Sequence, residues 1–197
     1  VCVSPTRFLV QDDIKDKFTQ AVIRETNNIK VGNGLDDDTN MGPLIAERRI
    51  DVMNDFVKDA IDNGANIEMG GNRMNRVGSF FSPTVMTGVD DSAKIMNEEP
   101  FGPLLPIDTF KSVEEVIDRA NRLDFGLASY AFTNDPKIVD NLRSEIQAGL
   151  LAVNSTVVST PETPFGGIKH SGYGSEGGVE GLEAFLVTRF VSETYNI

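Results

Sequence analysis

The sequence predicts a three-layer α/β fold, with a largely parallel sheet and helices on both of its faces. Short apolar runs rich in β-branched residues alternate along the chain with segments whose apolar residues recur at the helical period. Gly, Pro, Asn and Asp separate these segments. The chain has 197 residues, 40% of them hydrophobic, and is therefore long enough to bury a sizeable core.

The first quarter of the chain predicts one strand and two helices. Residues 4–10 are typical of a strand, and Asp12 or Asp13 is suited to cap the helix that follows it. The clearest helix covers residues 46–62, where the apolar residues share one face. Gly64 is a plausible end for this helix, since glycine accepts the backbone conformation that terminates a helix.

The middle of the chain predicts three further strands and a capped helix. Residues 66–71 and 80–88 are short strands with turn residues between them. Residues 102–110 form a strand, because their prolines exclude a helix interior. Ser112 begins the next helix, and Glu115 three residues later completes a capping box.

The next segment continues the alternation. Residues 126–132 predict a strand, residues 134–149 a helix, and residues 150–154 another strand. Pro136 lies early in that helix and Gly149 at its end, which is the usual asymmetry of helix termini.

The regular pattern ends at Ser155. Residues 155–178 contain six glycines and show no period, and a loop of that length in a compact chain is usually functional. Residues 184–195 predict a last strand. Since no segment follows it in this sequence to pair with, we expect it to pair with another segment or subunit.

Charge and cysteine content argue against several classes of partner and compartment. The formal net charge is −12, which disfavours nucleic acid and anionic membrane surfaces. The sequence contains no apolar run of the roughly 18 residues that a spanning helix needs, and no signal-peptide pattern. The single cysteine cannot form an internal disulfide, so we expect a cytoplasmic protein. The first residues are strand-like and lack an initiator Met, and we expect a piece of a longer protein or a processed one.

Cys2 is the first candidate for chemistry. A lone cysteine is more often a small buried hydrophobe than a nucleophile, and the flanking valines favour burial. A Cys–His hydrolase is the alternative, and it requires the fold to bring His170 to Cys2.

Two adjacent carboxylates precede an aromatic residue in the stretch EEPFGP. Glu98 and Glu99 could work as an acid/base pair, but neighbours in sequence usually point apart, so two solvated side chains are the default. A carboxylate can also accept hydrogen bonds from both vicinal hydroxyls of a ribose. Phe101, two residues beyond Glu99, could then lie against the sugar or its base.

The late glycine-rich stretch PFGGIKHSGYG, residues 164–174, does not have the spacing of a phosphate-binding loop. A tight surface turn is the simpler interpretation, in which Phe165 fills an apolar pocket. We expect no metal site, because a lone histidine would have to recruit carboxylates and residues 35–40 lack the spaced ligands of a calcium loop.

Taken together, Cys2, EEPFGP, AVN at residues 152–154 and PFGGIKHSGYG resemble the aldehyde dehydrogenase superfamily in content, order and spacing. The resemblance covers essentially the whole chain and is to the C-terminal, catalytic half, most of all in succinate-semialdehyde and 2-oxoglutarate-semialdehyde dehydrogenases. It implies a catalytic domain at 1–183 and an oligomerisation strand at 184–197, with the dinucleotide-binding domain absent from this chain.

The resemblance also implies roles for single residues. Cys2 matches the family's nucleophile. Glu99 matches the residue that binds the nicotinamide ribose, and Phe101 matches the aromatic residue beside that ribose. Asn154 matches an asparagine near the active site, and Phe165 matches the aromatic wall of the aldehyde tunnel.

Ser159 and Thr160 are candidates for substrate binding, because their hydroxyls could donate hydrogen bonds to a substrate carboxylate. The alternative, equally weighted, is that these hydroxyls bond local backbone, as short Ser and Thr side chains commonly do.

The function implied is NAD- or NADP-dependent oxidation of an aldehyde, a small semialdehyde, through a cysteine thiohemiacetal and thioester. The implied partners are the aldehyde, the upstream dinucleotide-binding domain and further copies of the enzyme, as a dimer or tetramer. The general base is expected outside this chain. Two alternatives remain open: a non-enzymatic assembly fragment of the same fold, and a thiol hydrolase that uses Cys2 and His170.

Overall fold

The computed structural model describes residues 1–195, which form two compact units, one of Val1–Val116 and a second that begins at Ile117. None of the helices in residues 1–195 has the length and apolarity needed to cross a bilayer.

The first unit is built on a four-stranded sheet. Its strands are β1 (Phe8–Gln11), β2 (Asn66–Met69), β3 (Thr84–Thr87) and β4 (Leu104–Phe110), in the order β1-β4-β3-β2. β4 lies between β1 and β3 and runs parallel to both of them, whereas β2 is an antiparallel edge strand. The predicted largely parallel sheet is therefore confirmed, with one antiparallel edge that alternation alone could not predict.

Helices cover both faces of this sheet. Helix α1 (Lys15–Asn27) packs on one face and helix α2 (Arg48–Asp62) on the other, which gives the predicted three layers. Consecutive residues of β3 contribute to different faces, Val85 to the α1 side and Met86 to the α2 side. Because both faces are covered, all four residues of β3 are buried.

Helix α2 follows the pattern that predicts it. Its apolar stripe supplies five of the thirteen buried residues of the core on this face of the sheet: Ile50, Met53, Phe56, Val57 and Ala60. The helix ends at Asp62, and Gly64 adopts a φ of +92°, as expected for a residue that terminates a helix.

The predicted cap of α1 is wrong. Asp12 and Asp13 lie inside a 3-10 turn, Asp12–Ile14, and the helix begins only at Lys15 with no side-chain cap. The tighter turn already supplies local hydrogen bonds at the start of the helix, so the aspartates are not needed to accept them.

The second unit contains two short two-stranded sheets. β6 (Ala128–Ala131) pairs in parallel with β7 (Leu150–Val153), and β5 (Phe125–Gly126) pairs antiparallel with β8 (Ile168–Lys169). Helix α4 (Pro136–Glu145) lies in the sequence between the two parallel strands, as predicted. Its cap is Asp135, which accepts a hydrogen bond from the Lys137 N–H at 2.8 Å.

Helix α3 (Val113–Asn121) begins with the predicted capping box. The Glu115 N–H donates to the Ser112 hydroxyl at 3.2 Å. The Glu115 carboxylate in turn accepts from the Lys111 N–H at 2.9 Å, one residue earlier than in the usual motif.

The strand predicted for residues 184–195 is not formed. Glu180–Phe185 is a 3-10 helix, and residues 186–195 join no sheet within the described chain. A strand forms through hydrogen bonds to a neighbouring strand, and within residues 1–195 no neighbouring strand supplies them to this segment. Phe185, Val187 and Phe190 are at least 86% exposed. The assembly role of this segment remains a prediction.

Candidate active site

A cavity of about 780 Å³ opens at the edge of the first sheet where β1, β3 and β4 begin. Open parallel sheets usually bind ligands at the opposite, carboxyl-terminal edge. The loops that lead into the strands supply much of the cavity wall. Since the three strands are parallel, the loop before β1 and the loop before β4 meet at the same edge.

Cys2 belongs to the loop before β1. Residues Val1 to Ser4 form a tight turn in which the Ser4 N–H donates to the Val1 carbonyl at 2.9 Å. Both ends of the turn line the cavity, and the Cys2 side chain between them is exposed. The burial favoured by its flanking valines is therefore wrong, because the turn lies at the wall of an open cavity and not in the core.

Glu99 and Phe101 belong to the loop before β4, and both line the same cavity. Glu98 has a different environment. Its N–H donates to the Lys94 carbonyl at 2.9 Å, and the pKa of Lys94 is raised by its hydrogen bond to Asp55, with a smaller contribution from Glu98. Of the two adjacent carboxylates, Glu99 is thus the one placed at the cavity.

Phe101 has a strained backbone. Its φ is +43°, a left-handed conformation that costs a non-glycine residue on the order of 1–2 kcal/mol. On either side of it, Pro100 is fully buried and Gly102 lies against the buried side chain of Met53. A Cβ on Gly102 would lie 2.1 Å from the sulfur of Met53 in α2.

Helix α2 also contacts the segment that precedes the Pro100–Gly102 turn. Asp59 of α2 accepts a hydrogen bond from the Lys94 N–H at 2.6 Å. The Asn97 amide donates to the carbonyls of Asp91 at 2.9 Å and Ala93 at 2.8 Å. These hydrogen bonds therefore hold residues 91–97, the segment that leads to Glu99.

In the second unit, Asn154 ties together the ends of the parallel strands β6 and β7. Its side-chain oxygen accepts from the Thr133 N–H at 2.9 Å, and its side-chain nitrogen donates to the Thr133 carbonyl at 2.8 Å. Asn154 has a φ of +55°. An amide retains one further donor and one further acceptor in this arrangement, so its predicted place near the substrate is compatible with the tie.

Ser159 and Thr160 are both exposed in the loop that follows. Thr160 takes part in a closed turn with Thr163, whose N–H donates to the Thr160 carbonyl at 3.1 Å. The Thr160 N–H donates to the Thr163 hydroxyl at 3.2 Å, and the two hydroxyls are 3.3 Å apart. For Thr160 this favours the local backbone interpretation, and substrate binding by either residue remains a prediction.

Phe165 is half-buried and held by its backbone. Phe165 and Glu176 exchange two hydrogen bonds of 2.7 Å. The glycines that follow are required for close packing, because a Cβ on Gly166 would lie 2.5 Å from the Gly174 carbonyl oxygen. The glycine-rich stretch is thus a folded turn that holds the backbone of Phe165.

Lys169 has a structural partner. Its ammonium donates to the carbonyls of Asn121 at 3.1 Å and Leu123 at 2.9 Å, at the C-terminal end of α3. A cation at this end of a helix is favourable because the last carbonyls lack partners there. The neighbouring His170 ring meets the Phe125 ring edge-on, with centroids 6.0 Å apart.

The structure thus places the turn that carries Cys2, Glu99 and Phe101 at one cavity of the first unit. Asn154, Thr160 and Phe165 lie along one stretch of the second unit, and their convergence with Cys2 remains a prediction. Sequence analysis missed Arg49, whose guanidinium donates to the Pro100 carbonyl. No local pattern could have indicated it, because 51 residues separate the two groups.

Comparison with known proteins identifies the family. Residues 1–191 match the profile described as "Aldehyde dehydrogenase family".

The chain belongs to the aldehyde dehydrogenase family.

Several curated members of the aldehyde dehydrogenase family cover nearly all of the chain. The mitochondrial succinate-semialdehyde dehydrogenase of Oryza sativa subsp. japonica is 40% identical over 96% of this chain. An NADP(+) succinate-semialdehyde dehydrogenase of Escherichia coli (strain K12) is 36% identical over 96% of it, and a 3-sulfolactaldehyde dehydrogenase of Pseudomonas putida 37% over 96%. The chain spans only 36%, 39% and 39% of the length of these relatives.

Solved aldehyde dehydrogenases share the fold. The succinate-semialdehyde dehydrogenase from Burkholderia pseudomallei superposes with a TM-score of 0.93 at 35% identity, covering 95% of this chain and 39% of that one. The betaine aldehyde dehydrogenase from Staphylococcus aureus in complex with NAD+ gives 0.89 at 40% identity, covering 95% and 38%. The mixed α/β architecture of the described chain is therefore that of this family.

Proposed function

We propose that this chain is the catalytic half of an NAD- or NADP-dependent aldehyde dehydrogenase that oxidises a small semialdehyde to its carboxylate. One observation carries the proposal: the turn with the exposed Cys2 lies at the same cavity as Glu99 and Phe101. Family membership and the aldehydes named for the relatives support the reaction class.

The nucleophile is Cys2. Its thiolate adds to the aldehyde carbon, and the carbonyl oxygen becomes the oxyanion of a thiohemiacetal. The backbone N–H of Cys2 is one donor for that oxyanion. Loss of hydride from the former aldehyde carbon leaves a thioester on the sulfur, and water then releases the carboxylate and frees Cys2. We expect the base that activates this water to lie outside this chain.

The residues at the cavity fit a nicotinamide ribose. Glu99 offers two acceptor oxygens, which match the two vicinal hydroxyls of the sugar, and Phe101 offers an exposed ring beside it. The cavity volume lies in the range that holds a cofactor-sized ligand. When bound, the nicotinamide supplies the hydride acceptor. Glu99 and Phe101 would hold it in register with the carbon on Cys2.

The proposed substrate class is a short aldehyde with a second carboxylate. Phe165 would form the apolar wall of its entry, and Asn154 and Ser159 would lie near it. The succinate-semialdehyde dehydrogenases among the relatives support this choice. We also propose assembly into a homo-oligomer through residues 184–197 and, on the basis of the single cysteine, a reducing cytoplasmic location.

Steady-state nicotinamide reduction tests the proposal in the natural protein that contains this chain. Succinate semialdehyde and an uncharged aldehyde of the same length are compared with NAD and with NADP. We expect turnover of succinate semialdehyde, a lower kcat/KM for the uncharged aldehyde, and complete loss of turnover in Cys2→Ala.

Ser4→Ala is the matched control, since Ser4 lies at the other end of the same turn and contributes a backbone bond to it. It should retain turnover. A Cys2→Ala protein that still oxidises aldehydes, or a parent that oxidises none, would rule out the proposed reaction.

A further inference from the structure

Two residues of helix α2 hold the Pro100–Gly102 turn. Arg49 donates from its guanidinium to the Pro100 carbonyl, and Met53 packs against Gly102. Arg49 and Met53 are four residues apart and therefore lie one above the other on the same face of the helix. Both contacts lie inside the first unit, and Phe101 is the residue between them.

The Arg49 contact acts on one particular bond rotation. The pyrrolidine ring fixes φ of Pro100. The backbone dihedral of Pro100 that can still vary is ψ, which sets the orientation of the Pro100–Phe101 peptide. A donor fixed on the Pro100 carbonyl sets the plane of that peptide. This plane determines ψ of Pro100 and restricts φ of Phe101, which lies at +43°. A strained φ persists only where several contacts together require it.

The location of Arg49 connects this constraint to the proposed site. Arg49 lines a second cavity that it shares with Glu99 and Phe101, the two residues that would hold the ribose. Arg49 is partly buried, whereas its neighbour Arg48 on the same helix is exposed. A planar guanidinium keeps its donors in a fixed geometry, which suits a residue that must hold a carbonyl in one direction.

We infer that Arg49 is a positioning residue of this enzyme: by holding the Pro100 carbonyl, it keeps Phe101 in its left-handed conformation and aims Phe101 and Glu99 into the cofactor cavity. The inference deepens the proposed function and rests on it for the identity of the ligand. The position of the Phe101 backbone is independent of that function and can be measured separately.

The test compares Arg49→Met with Arg48→Met in the natural protein that contains this chain. Both changes remove one arginine charge from the start of α2, but only Arg49 has the Pro100 contact. Crystal structures of the parent and both variants give φ of Phe101. We expect φ to remain positive in Arg48→Met and to leave the left-handed region in Arg49→Met.

Single-turnover kinetics supply the second readout. In Arg49→Met we expect the rate of nicotinamide reduction to fall roughly 10- to 100-fold, the scale on which a small misplacement of reacting groups acts. The KM for aldehyde should not change, which a general loss of structure would not reproduce. Arg49→Lys, which keeps the charge and an N–H donor, should retain more of the rate than Arg49→Met.

Each outcome decides the question. If φ of Phe101 is unchanged in Arg49→Met, or if Arg48→Met causes the same shift, Arg49 has no positioning role. If Arg49→Met does not fold, Arg49→Lys is compared with Arg48→Lys by the same two readouts, and equal effects at both positions overturn the inference. If φ shifts in Arg49→Met while the parent oxidises no aldehyde, the positioning role stands and the proposed reaction fails.

Discussion

Three non-glycine residues in the described chain have positive φ, and each belongs to a different sequence motif. Phe101 lies in EEPFGP, Asn154 follows AV in AVN, and Lys169 lies in PFGGIKH. Each also takes part in or adjoins a specific contact: the Arg49 bond to the Pro100 carbonyl beside Phe101, a paired side-chain amide for Asn154, and two carbonyls for Lys169. Strain of this kind concentrates at functional sites, and here it marks the motifs independently of their resemblance.

The two adjacent glutamates give a prediction at this scale. Glu99→Gln in the natural protein should slow nicotinamide reduction roughly ten- to a hundredfold, because a charge-assisted hydrogen bond contributes about 1.5–3 kcal/mol. Glu98→Gln is the control, since Glu98 lies toward Lys94 and should leave the rate unchanged. Stopped-flow absorbance of the reduced nicotinamide measures both. Equal loss in the two variants would contradict the ribose assignment.

The sequence indicated which residues to examine but could not give their geometry. EEPFGP pointed to Glu99 and Phe101, and the structure places both at one cavity. The burial of Cys2 was wrongly favoured, because neighbouring valines do not show whether other parts of the fold cover a turn. Arg49 could not be found, since a contact to a backbone carbonyl depends on the distant packing of α2 and constrains no residue type near Pro100.

At the scale of elements, one ammonium connects the glycine-rich stretch to helix α3. Lys169 bonds the carbonyls of Asn121 and Leu123 and pairs through β8 with β5. The stretch that carries Phe165 is therefore attached to the end of helix α3 through Lys169, which lies three residues beyond Gly166. A stretch with no period in its sequence acquires its order from this attachment and from glycines that permit close packing.

Lys169→Met tests the attachment. The variant keeps the apolar stem and loses both bonds to the helix end, so we expect the free energy of unfolding to fall by about 1–3 kcal/mol. Urea unfolding of the natural protein measures the change. Lys137→Met, at an exposed position of α4, should alter stability by less than about 0.5 kcal/mol. An unaltered midpoint for Lys169→Met would show that the stretch is held by its glycine packing alone.

Elements with strong periodicity were predictable, and elements defined by distant partners were not. The stripe of α2 and the Ser112–Glu115 box gave correct helices, because a helix closes its hydrogen bonds within its own segment. The antiparallel edge strand β2 and the strand expected at 184–195 depend on neighbours instead. For these two segments, composition indicated only a tendency toward extended backbone. Whether a strand forms, and in which direction it pairs, depends on the neighbouring strand.

At the scale of the whole molecule, the described chain consists of two compact units and ends in an exposed apolar segment. Val187 and Phe190 are 92% and 89% exposed, and such a patch usually marks an interaction site. The chain spans only 36% and 39% of the length of two succinate-semialdehyde dehydrogenases among its relatives.

The assembly role of the segment gives the last prediction. Val187→Asp in the natural protein should shift the enzyme to a smaller oligomer, because a buried carboxylate without a partner is costly in an apolar interface. Sedimentation velocity measures the size. Ser192→Asp adds the same charge at a position that is already polar and should leave the size unchanged. An unaltered oligomer in Val187→Asp would place the contact between subunits elsewhere.

The face of α2 that holds the Pro100–Gly102 turn is shared with the core, since Met53 is fully buried and also bounds Gly102. Slippage of that helix by a fraction of an ångström would displace the Phe101 ring by a comparable amount while the fold stayed intact. Under the proposed function, we therefore expect warming to weaken nicotinamide binding before the protein unfolds.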